Sequence, residues 1–505
     1  MSLVRSFIFI NFAEIVYIVS GYFIHFSLAR VLEPAEYGRY SIIISLVMMI
    51  IMFIGDGIPK ALSKYIAQHP EMAGIIKRKA FIAQAIVILL VSLLYYLTTP
   101  LVARLLKDMS LLPYLRLSVL IIPSFALASF YNNYFNGLKK FHLQSIQRIV
   151  RSFARVLAIV GIAYLFKVKG AIIGYIMAPS LVFVYSILID KTIKHKRIKK
   201  KQDFPYSKIL KFGGSIVFFM IGYQLLTRTG IFLIKRLTGE DFLAGVYNTV
   251  IVIGEVPFYF LSNLAILLLP TISSVVEKQS LEKARQIIQQ SIRYIIVLLI
   301  PIVSVVILFS ERIVVLMYTS KFVQGSFGLK FYVLAIGMLS IYYICTFILN
   351  GFNQVKTSVF LTWLGVIINF ILCYILIPGY GILGAAISMI PTAFILMSLG
   401  LFFTQKHFGA FMNYVSLFKS LFAAALTWFI FKYFNLQVFF NKDAHLEVLG
   451  PDNRYYFLPF ALLFVVLYFA ILLFIRGVDK QDLIKLKKTL LKKPLKKSLK
   501  NVPKR

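Results

Sequence analysis

The sequence predicts an all-α, polytopic membrane protein, and two features of its composition indicate this. The chain of 505 residues is 60% hydrophobic and only 15% charged, whereas soluble domains are about half apolar and a quarter charged. Soluble cores also stop growing beyond roughly 300 residues. Water could not accommodate so much apolar surface, so we exclude a soluble enzyme, a secreted scaffold and a disordered protein.

Fourteen apolar runs are long enough to cross a bilayer, which takes about 20 residues. The turn Pro378-Gly379-Tyr380-Gly381 divides the uncharged stretch 357–405 into two of them. The runs lie near residues 7–28, 40–55, 80–99, 117–138, 150–166, 170–189, 212–234, 242–270, 294–310, 328–350, 357–377, 381–404, 414–434 and 456–475.

The distribution of basic residues predicts the topology. The net charge is +36, from 55 Lys+Arg and 19 Asp+Glu. With the N-terminus inside, 39 Lys+Arg fall on the cytoplasmic side and 15 outside, and Arg228 lies within a span. This is the bias of the positive-inside rule. We therefore expect a multi-pass protein of the cell membrane with both termini cytoplasmic, and we attribute the basic charge to topology rather than to nucleic-acid binding.

Three short motifs recur at nearly equal offsets in matching helix positions, which indicates an internal repeat. Coincidence in an apolar chain is the alternative. The pairs are Asn136-Gly137 with Asn350-Gly351, Gly170-Ala171 with Gly384-Ala385, and Gly38-Arg39-Tyr40 with Gly245-Val246-Tyr247. The first two pairs have the same offset in residue number, and the offset of the third is slightly shorter.

The repeat divides the chain into two six-helix lobes, 1–190 and 212–405, with two further helices in 406–475. A basic cytoplasmic linker, 191–211, joins the lobes, and a basic cytoplasmic tail covers 476–505. Both basic segments suit either contact with anionic lipid head groups or a solvated role in fixing topology. Two repeat-related lobes are typical of transporters, whose substrate site lies between the halves.

Ionisable residues within the spans are the candidate site, since each costs about 2.5–3.5 kcal/mol at a helix centre. Glu14, Asp56 and Glu255 are candidates for ion coupling or cavity charge, and Arg228 for substrate binding. Glu14 and His25 are close to three helical turns apart and could face one cavity. Glu255 precedes Pro257, which breaks the helix ladder.

Each of these residues also has a structural interpretation. Arg228 and Glu255 could form a buried pair that neutralises itself, and Asp56 could lie at the inner interface. Arg30 and Arg39, near outer span ends, are further candidates for binding phosphate through the planar guanidinium. Contact with lipid head groups is the alternative for both arginines.

The sequence gives no indication of catalysis or of a cofactor. It has no phosphate-binding loop of the Gly-x-x-x-x-Gly-Lys-Ser/Thr type. Its six histidines show no metal-ligand spacing, and its two cysteines form no disulfide framework. The predicted outer loops are too short for an exposed catalytic domain, so we expect no enzyme.

Three segments resemble the polysaccharide biosynthesis/oligosaccharide flippase family of the multidrug/oligosaccharidyl-lipid/polysaccharide exporter superfamily. They are 28–41 (LARVLEPAEYGRYS), 57–67 (GIPKALSKYIA) and 226–248 (LTRTGIFLIKRLTGEDFLAGVYN). The resemblance implies two six-helix bundles and alternating access. It implies a polyprenyl-diphosphate-linked oligosaccharide as substrate, moved from the cytoplasmic to the outer leaflet, and other polysaccharide-assembly proteins as partners beside membrane lipids.

One position departs from the family pattern. An acidic residue often follows the place of Arg228, where this chain has Thr229-Gly230, so ion coupling through the seventh helix is in doubt. A cation-coupled multidrug antiporter of the same superfamily is one alternative, with Glu14 and Glu255 as its cavity acids. A non-transporting scaffold of a sugar-assembly complex is the other.

Overall fold

The computed structural model describes residues 3–193, 204–259, 261, 281–351, 354–409, 412–434, 455 and 457–477. Every regular element in these ranges is helical, which confirms the all-α prediction. Fifteen α-helices lie in them: α1 (Leu3–Val31), α2 (Pro34–Asp56), α3 (Ile58–Gln68), α4 (Ala73–Leu105), α5 (Leu112–Ser118), α6 (Ile121–Gly137), α7 (Phe141–Lys191), α8 (Tyr206–Thr238), α9 (Asp241–Gly254), α10 (Leu281–Leu308), α11 (Ser310–Met317), α12 (Gly325–Gly351), α13 (Val355–Phe408), α14 (Tyr414–Tyr433) and α15 (Phe457–Phe474).

Within the described ranges, eleven helical segments are long and apolar enough to cross a membrane. Two of them, α7 and α13, are hairpins of two arms, because the backbone turns at Lys167 (φ 52°) and Gly381 (φ 53°). Each of the fourteen predicted spans overlaps a described helix or one hairpin arm. The protein is thus a multi-pass membrane protein of the predicted helical architecture.

The two hairpins show the internal repeat in three dimensions. Their turns at Lys167 and Gly381 have the same offset in sequence as Gly170 and Gly384. Each of these glycines lies just after its turn and packs against a backbone carbonyl of the preceding arm, where a Cβ would overlap it. Only glycine lets the arms approach so closely. We call the membrane side of these turns the hairpin end and the opposite side the linker end.

Helices α1–α7 form one packed group and α8–α13 another, joined mainly through α2, which packs against α8 and α9. We call these groups the N-lobe and the C-lobe. Helices α14 and α15 pack together and against α10. The exact boundaries at 190, 212 and 405 stay predictions. Linker residues 194–203 and tail residues 478–505 lie outside the described ranges.

The lobes cross at two equivalent glycines near the hairpin end. A Cβ on Gly38 of α2 would overlap the carbonyl of Asp241, and one on Gly245 of α9 would come within 2.6 Å of the Pro34 carbonyl. The two glycines are equivalent positions of the repeat, and Pro34 and Asp241 have the same offset as the glycines. The crossing of α2 and α9 therefore lies on an approximate twofold axis between the lobes.

Local signals explain where helices at this crossing begin and end. Pro34 occupies the first turn of α2, where its missing N–H costs nothing, and Glu33 and Glu36 form a capping box. Gly239 ends α8 in the left-handed conformation (φ 75°), which glycine adopts without strain. These short turns join α1 to α2 and α8 to α9, and α2 packs against both α8 and α9 of the other lobe.

Candidate functional site

A cavity of about 310 Å³ lies between the lobes, and we call it the central cavity. Helices α1 and α7 of the N-lobe and α8 and α9 of the C-lobe supply most of its lining. Its charged and titratable side chains include Glu14, His25, Arg155, Arg228 and Glu255. Three of the four predicted intramembrane site residues thus meet in one place, although they come from distant parts of the sequence.

Arg228 and Glu255 form an ion pair at the edge of the central cavity. The Arg228 Nη2 atom lies 3.0 Å from Glu255 Oε2, and the side chains are 16% and 9% exposed. The Tyr259 hydroxyl donates to the same oxygen at 3.2 Å. As the position of Pro257 predicts, α9 stops at Gly254 and the helix resumes after Glu255. The predicted neutralising pair is therefore formed.

The ion pair leaves most of the Arg228 guanidinium available. A guanidinium has five N–H donors, and the hydrogen bond to Glu255 is the one that Arg228 makes in the described part of the chain. Because Arg228 also lines the central cavity, its remaining donors are able to contact a ligand there. The pair is compatible with a binding role.

Glu14 and His25 line the central cavity from α1, as their spacing predicts. Glu14 forms an ion pair with Arg148 of α7. The His25 Nδ1 lies 2.7 Å from the Tyr37 hydroxyl, which also accepts a hydrogen bond from the Asn248 amide at 3.0 Å. His25 is thus a hydrogen-bonded packing residue.

Three arginines on one face of α7 are the part of the site that the sequence analysis missed. Arg148, Arg151 and Arg155 lie over the ring of Tyr17, at 5.2, 5.5 and 3.8 Å from its centroid. The charge count assigned all three to the cytoplasmic side, without a role in the site. Their spacing of three and four residues was the available signal, since it places all three on one helix face.

Arg155 faces the central cavity without a carboxylate partner among the residues that the structure describes. Its Nε and Nη2 donate to the Ser20 hydroxyl at 3.0 and 2.6 Å, and Nη2 also donates to the Tyr17 carbonyl. These neutral partners orient the guanidinium but leave its charge uncompensated. The central cavity therefore holds an arginine from each lobe, and within the described ranges the charge of Arg155 is not neutralised by an ion pair.

A second cavity of about 300 Å³ lies inside the N-lobe, and we call it the N-lobe cavity. Helices α3, α6 and α7 supply most of its lining, including Lys60, Arg148 and Arg151. Tyr17 belongs to the lining of both cavities. Together the two linings contain five lysines and arginines but only the carboxylates of Glu14 and Glu255. Their electrostatic potential therefore favours anions.

Arg30 and Arg39, predicted to bind substrate, line neither cavity. Arg39 Nε lies 2.5 Å from Asp241 Oδ2. Arg30 donates to the carbonyls of Leu316 and Met317 at 3.1 and 3.3 Å. The structure therefore places both at the hairpin end, where they join the two lobes, rather than with Arg228. Sequence could not show this, because the partners belong to the other half of the chain.

Two further ion pairs join the lobes at the hairpin end. Lys235 Nζ lies 2.7 Å from Asp108 Oδ2, and Lys321 Nζ lies 2.8 Å from Glu33 Oε2. Partial burial of Asp108 raises its pKa, but the hydrogen bonds from Lys235 and Ser110 outweigh this and leave the pKa below its ordinary value. The hydrogen bond from Lys321 likewise lowers the pKa of Glu33. Both carboxylates are thus ionised at neutral pH, and both pairs are formed.

Two further questions about the site concern Asp56 and metal binding. Asp56 is the last residue of α2, but its side chain lies outside the described part, so its assignment stays a prediction. Within the described ranges no group of three or more His, Cys, Asp or Glu side chains could hold a metal ion.

Comparison with known proteins places the chain in a family. A family model described as "Polysaccharide biosynthesis protein" matches residues 3–276. An uncharacterized membrane protein of Methanocaldococcus jannaschii is 24% identical over 422 residues, which are 80% of this chain and 98% of that protein.

Two solved structures share the fold. The lipid II flippase MurJ, in an inward closed conformation, has a TM-score of 0.73 and 18% identity, and the match covers 94% of this chain and 100% of that chain. An inward-facing MATE family multidrug resistance transporter of the MOP superfamily has a TM-score of 0.66 and 13% identity, with 77% and 94% covered. The family match spans more than half of the sequence, so the chain belongs to the polysaccharide biosynthesis protein family, with the fold of the MOP superfamily.

Proposed function

We propose that this protein is a transporter that flips a lipid-linked oligosaccharide from the cytoplasmic to the outer leaflet by alternating access. The observation that carries the proposal is the pair of guanidinium groups in the central cavity, Arg155 from the N-lobe and Arg228 from the C-lobe. Planar guanidinium groups bind phosphate oxygens at two points. A diphosphate bound between them would link the two lobes, and its lipid tail would stay in the bilayer.

The charges of the cavities favour an anionic substrate over a cationic drug. Each of the two carboxylates is already paired with an arginine, Glu14 with Arg148 and Glu255 with Arg228. A cationic drug would meet Arg155 without a compensating carboxylate, and like charges in a partly desolvated site repel. This weighs against the multidrug antiporter, which needs acidic groups to dominate the cavity.

The same pairs offer a route to ion coupling. A phosphate that draws Arg228 toward itself would weaken the hold of this arginine on Glu255, and the carboxylate would then gain affinity for a proton or a metal cation. Glu14 and Arg148 would behave in the same way. We therefore keep Glu14 and Glu255 as coupling residues in the proposal.

Alternating access requires contacts that close one end of the cavity, and the hairpin end has them. Three ion pairs join the lobes there, beside the glycine crossing of α2 and α9. The Tyr37 hydroxyl adds hydrogen bonds across the lobes to Tyr318 and Asn248. With the predicted topology this end faces outward, and these contacts would close the central cavity to the outside. Breaking these contacts would expose the central cavity there.

The comparisons support the proposed substrate class. The family is named for polysaccharide biosynthesis, and one fold neighbour is named a lipid II flippase. Membrane lipids and a lipid-linked glycan follow as partners of this chain. Proteins of polysaccharide assembly would supply the substrate and use the product.

Flipping by the purified protein tests the proposal directly. The chain would be reconstituted in liposomes with a fluorescent polyprenyl-diphosphate oligosaccharide, and a membrane-impermeant quencher would report the leaflet. We expect Arg155→Gln and Arg228→Gln to slow flipping at least about tenfold, since a charged hydrogen bond is worth about 1.5–3 kcal/mol. Arg116→Gln, at an exposed position on α5, is the matched control and should flip normally. Unchanged flipping by both cavity variants, or uptake of a cationic dye instead, would overturn the proposal.

A further inference from the structure

The N-lobe cavity is too polar to be a packing defect between membrane helices. Nine of its twelve lining residues carry polar side chains, and buried polar groups are costly unless they are satisfied. Its volume of about 300 Å³ is at the lower end of the range of small-ligand pockets, about 300–1,000 Å³. A polar cavity of this size within membrane-spanning helices indicates a binding site.

Arg151 gives the cavity its charge. Its guanidinium carbon lies 4.0 Å from the ring centroid of Phe125 and 5.5 Å from that of Tyr17. Neighbouring Arg148 is paired with Glu14, whereas Arg151 has no hydrogen bond or ion pair in the described part of the chain. Contacts with aromatic rings fix a guanidinium but leave the N–H donors at its edge unused. Arg151 is therefore a positionally fixed cation whose N–H donors are available to bind an anion.

Carboxamide side chains line the same cavity beside Arg151. The Oε1 atoms of Gln144 and Gln147 are buried and have no hydrogen-bond partner among the described residues. The Nε2 of Gln147 is held by the Ala128 carbonyl and the Ser186 hydroxyl, at 3.1 and 2.7 Å. The Gln147 amide is thus fixed with its oxygen unsatisfied, and a hydroxyl is the donor that would satisfy it.

We propose that the N-lobe cavity binds a sugar that carries a phosphate or carboxylate group. Arg151 contacts the anionic group, and the carboxamide side chains that line the cavity, Gln144 and Gln147 among them, form hydrogen bonds with sugar hydroxyls. Because Tyr17 lines both cavities, an acidic sugar of a lipid-linked oligosaccharide can occupy this site while its diphosphate is in the central cavity. The identity of this sugar as part of the transported head group rests on the proposed function.

Equilibrium binding of a soluble probe to the purified full-length protein tests the site. We expect glucose 1-phosphate to bind more tightly than glucose or inorganic phosphate alone, because only it contacts both Arg151 and the amides. Arg151→Gln should weaken binding at least about tenfold and Gln144→Met about fivefold, as expected for a lost charged and a lost neutral hydrogen bond. Arg116→Gln, at an exposed position on α5 outside both cavities, should bind the probe within about twofold of wild type.

The variants also control for misfolding. Gln144 makes its hydrogen bonds with Asn132 at 3.5 Å, so Gln144→Met should fold even where Arg151→Gln does not. A folded Arg151→Gln or Gln144→Met protein with wild-type affinity for glucose 1-phosphate would overturn the proposal. Affinity that falls with Arg228→Gln alone would place the probe in the central cavity and overturn it too.

A competition experiment distinguishes a sugar of the transported head group from a free sugar phosphate as the natural ligand of the N-lobe cavity. A polyprenyl-diphosphate oligosaccharide with an acidic sugar should displace glucose 1-phosphate from wild type, and failure to do so would refute the head group as the source. Probe binding without any flipping of the lipid-linked compound would refute the proposed function and leave the site standing. Flipping that depends on Arg155, with no probe binding, would support the proposed function and refute the binding site in the N-lobe cavity.

Discussion

The Arg228–Glu255 pair offers a test that separates stability from transport. Replacing Arg228 with Met leaves the Glu255 carboxylate, only 9% exposed, with the Tyr259 hydroxyl as its remaining partner. Breaking a buried ion pair on one side costs about 3–5 kcal/mol, because an uncompensated charge stays behind. We therefore expect Arg228→Met to lower both the thermal unfolding midpoint and the amount of protein in the membrane.

Removing the second charge should restore stability without restoring transport. In the Arg228→Met/Glu255→Gln double variant no charge is left alone, and replacement of both ions is often neutral. We expect it to regain most of the lost stability. Flipping should stay at least about tenfold slow, because the phosphate has lost a charged donor.

Arg228→Lys completes the series. The ammonium keeps the pair with Glu255 but has no planar two-point contact with phosphate, so flipping should fall while stability is nearly kept. Thermal unfolding in detergent and the liposome assay would be measured on the same preparations. Normal flipping by the stable double variant would show that Arg228 is a structural residue only, and our assignment of it to the substrate site would then be wrong.

Three further predictions concern topology and the hairpin end. In a protein with both native cysteines replaced, a reporter cysteine in residues 195–201 should resist an impermeant thiol reagent in intact cells; labelling there would contradict the fourteen-span topology. Gly38→Ala should push the lobes apart at the hairpin end, seen as a longer spin-label distance, whereas Gly161→Ala, where a Cβ meets open space, should leave that distance unchanged. The pKa of Asp108 is lowered in the closed state, so its pair with Lys235 contributes fully above the ordinary carboxyl pKa of about 3.9 and is lost only as the pH falls through the lowered value. Closure of this end should therefore not change between about pH 5 and 8, and opening within that range would show that another group controls it.

The sequence by itself determined the class of the protein, its helical architecture and its repeat. These properties depend on local composition and spacing: apolar runs of bilayer length, a lysine and arginine bias between loops, and glycines at equal offsets. Gly170 and Gly384 illustrate this, because a glycine required by a tight hairpin must recur wherever the hairpin recurs. The resemblance of segments 28–41, 57–67 and 226–248 to a flippase family likewise depends on local sequence alone.

The tertiary structure decided which charges share a cavity. Arg228 and Glu255 lie on consecutive helical segments and could be paired from the sequence, but Arg30 and Arg39 find their partners only when the second lobe docks. From the sequence, Arg151 and Arg155 resemble the basic residues of a cytoplasmic loop. In the structure they lie within α7, which begins at Phe141, on the face that contacts Tyr17. The energy of a buried charge depends on every group around it, and those groups come from helices far apart in the chain. Local spacing therefore indicated which residues share a helix face, but not which faces enclose the two cavities.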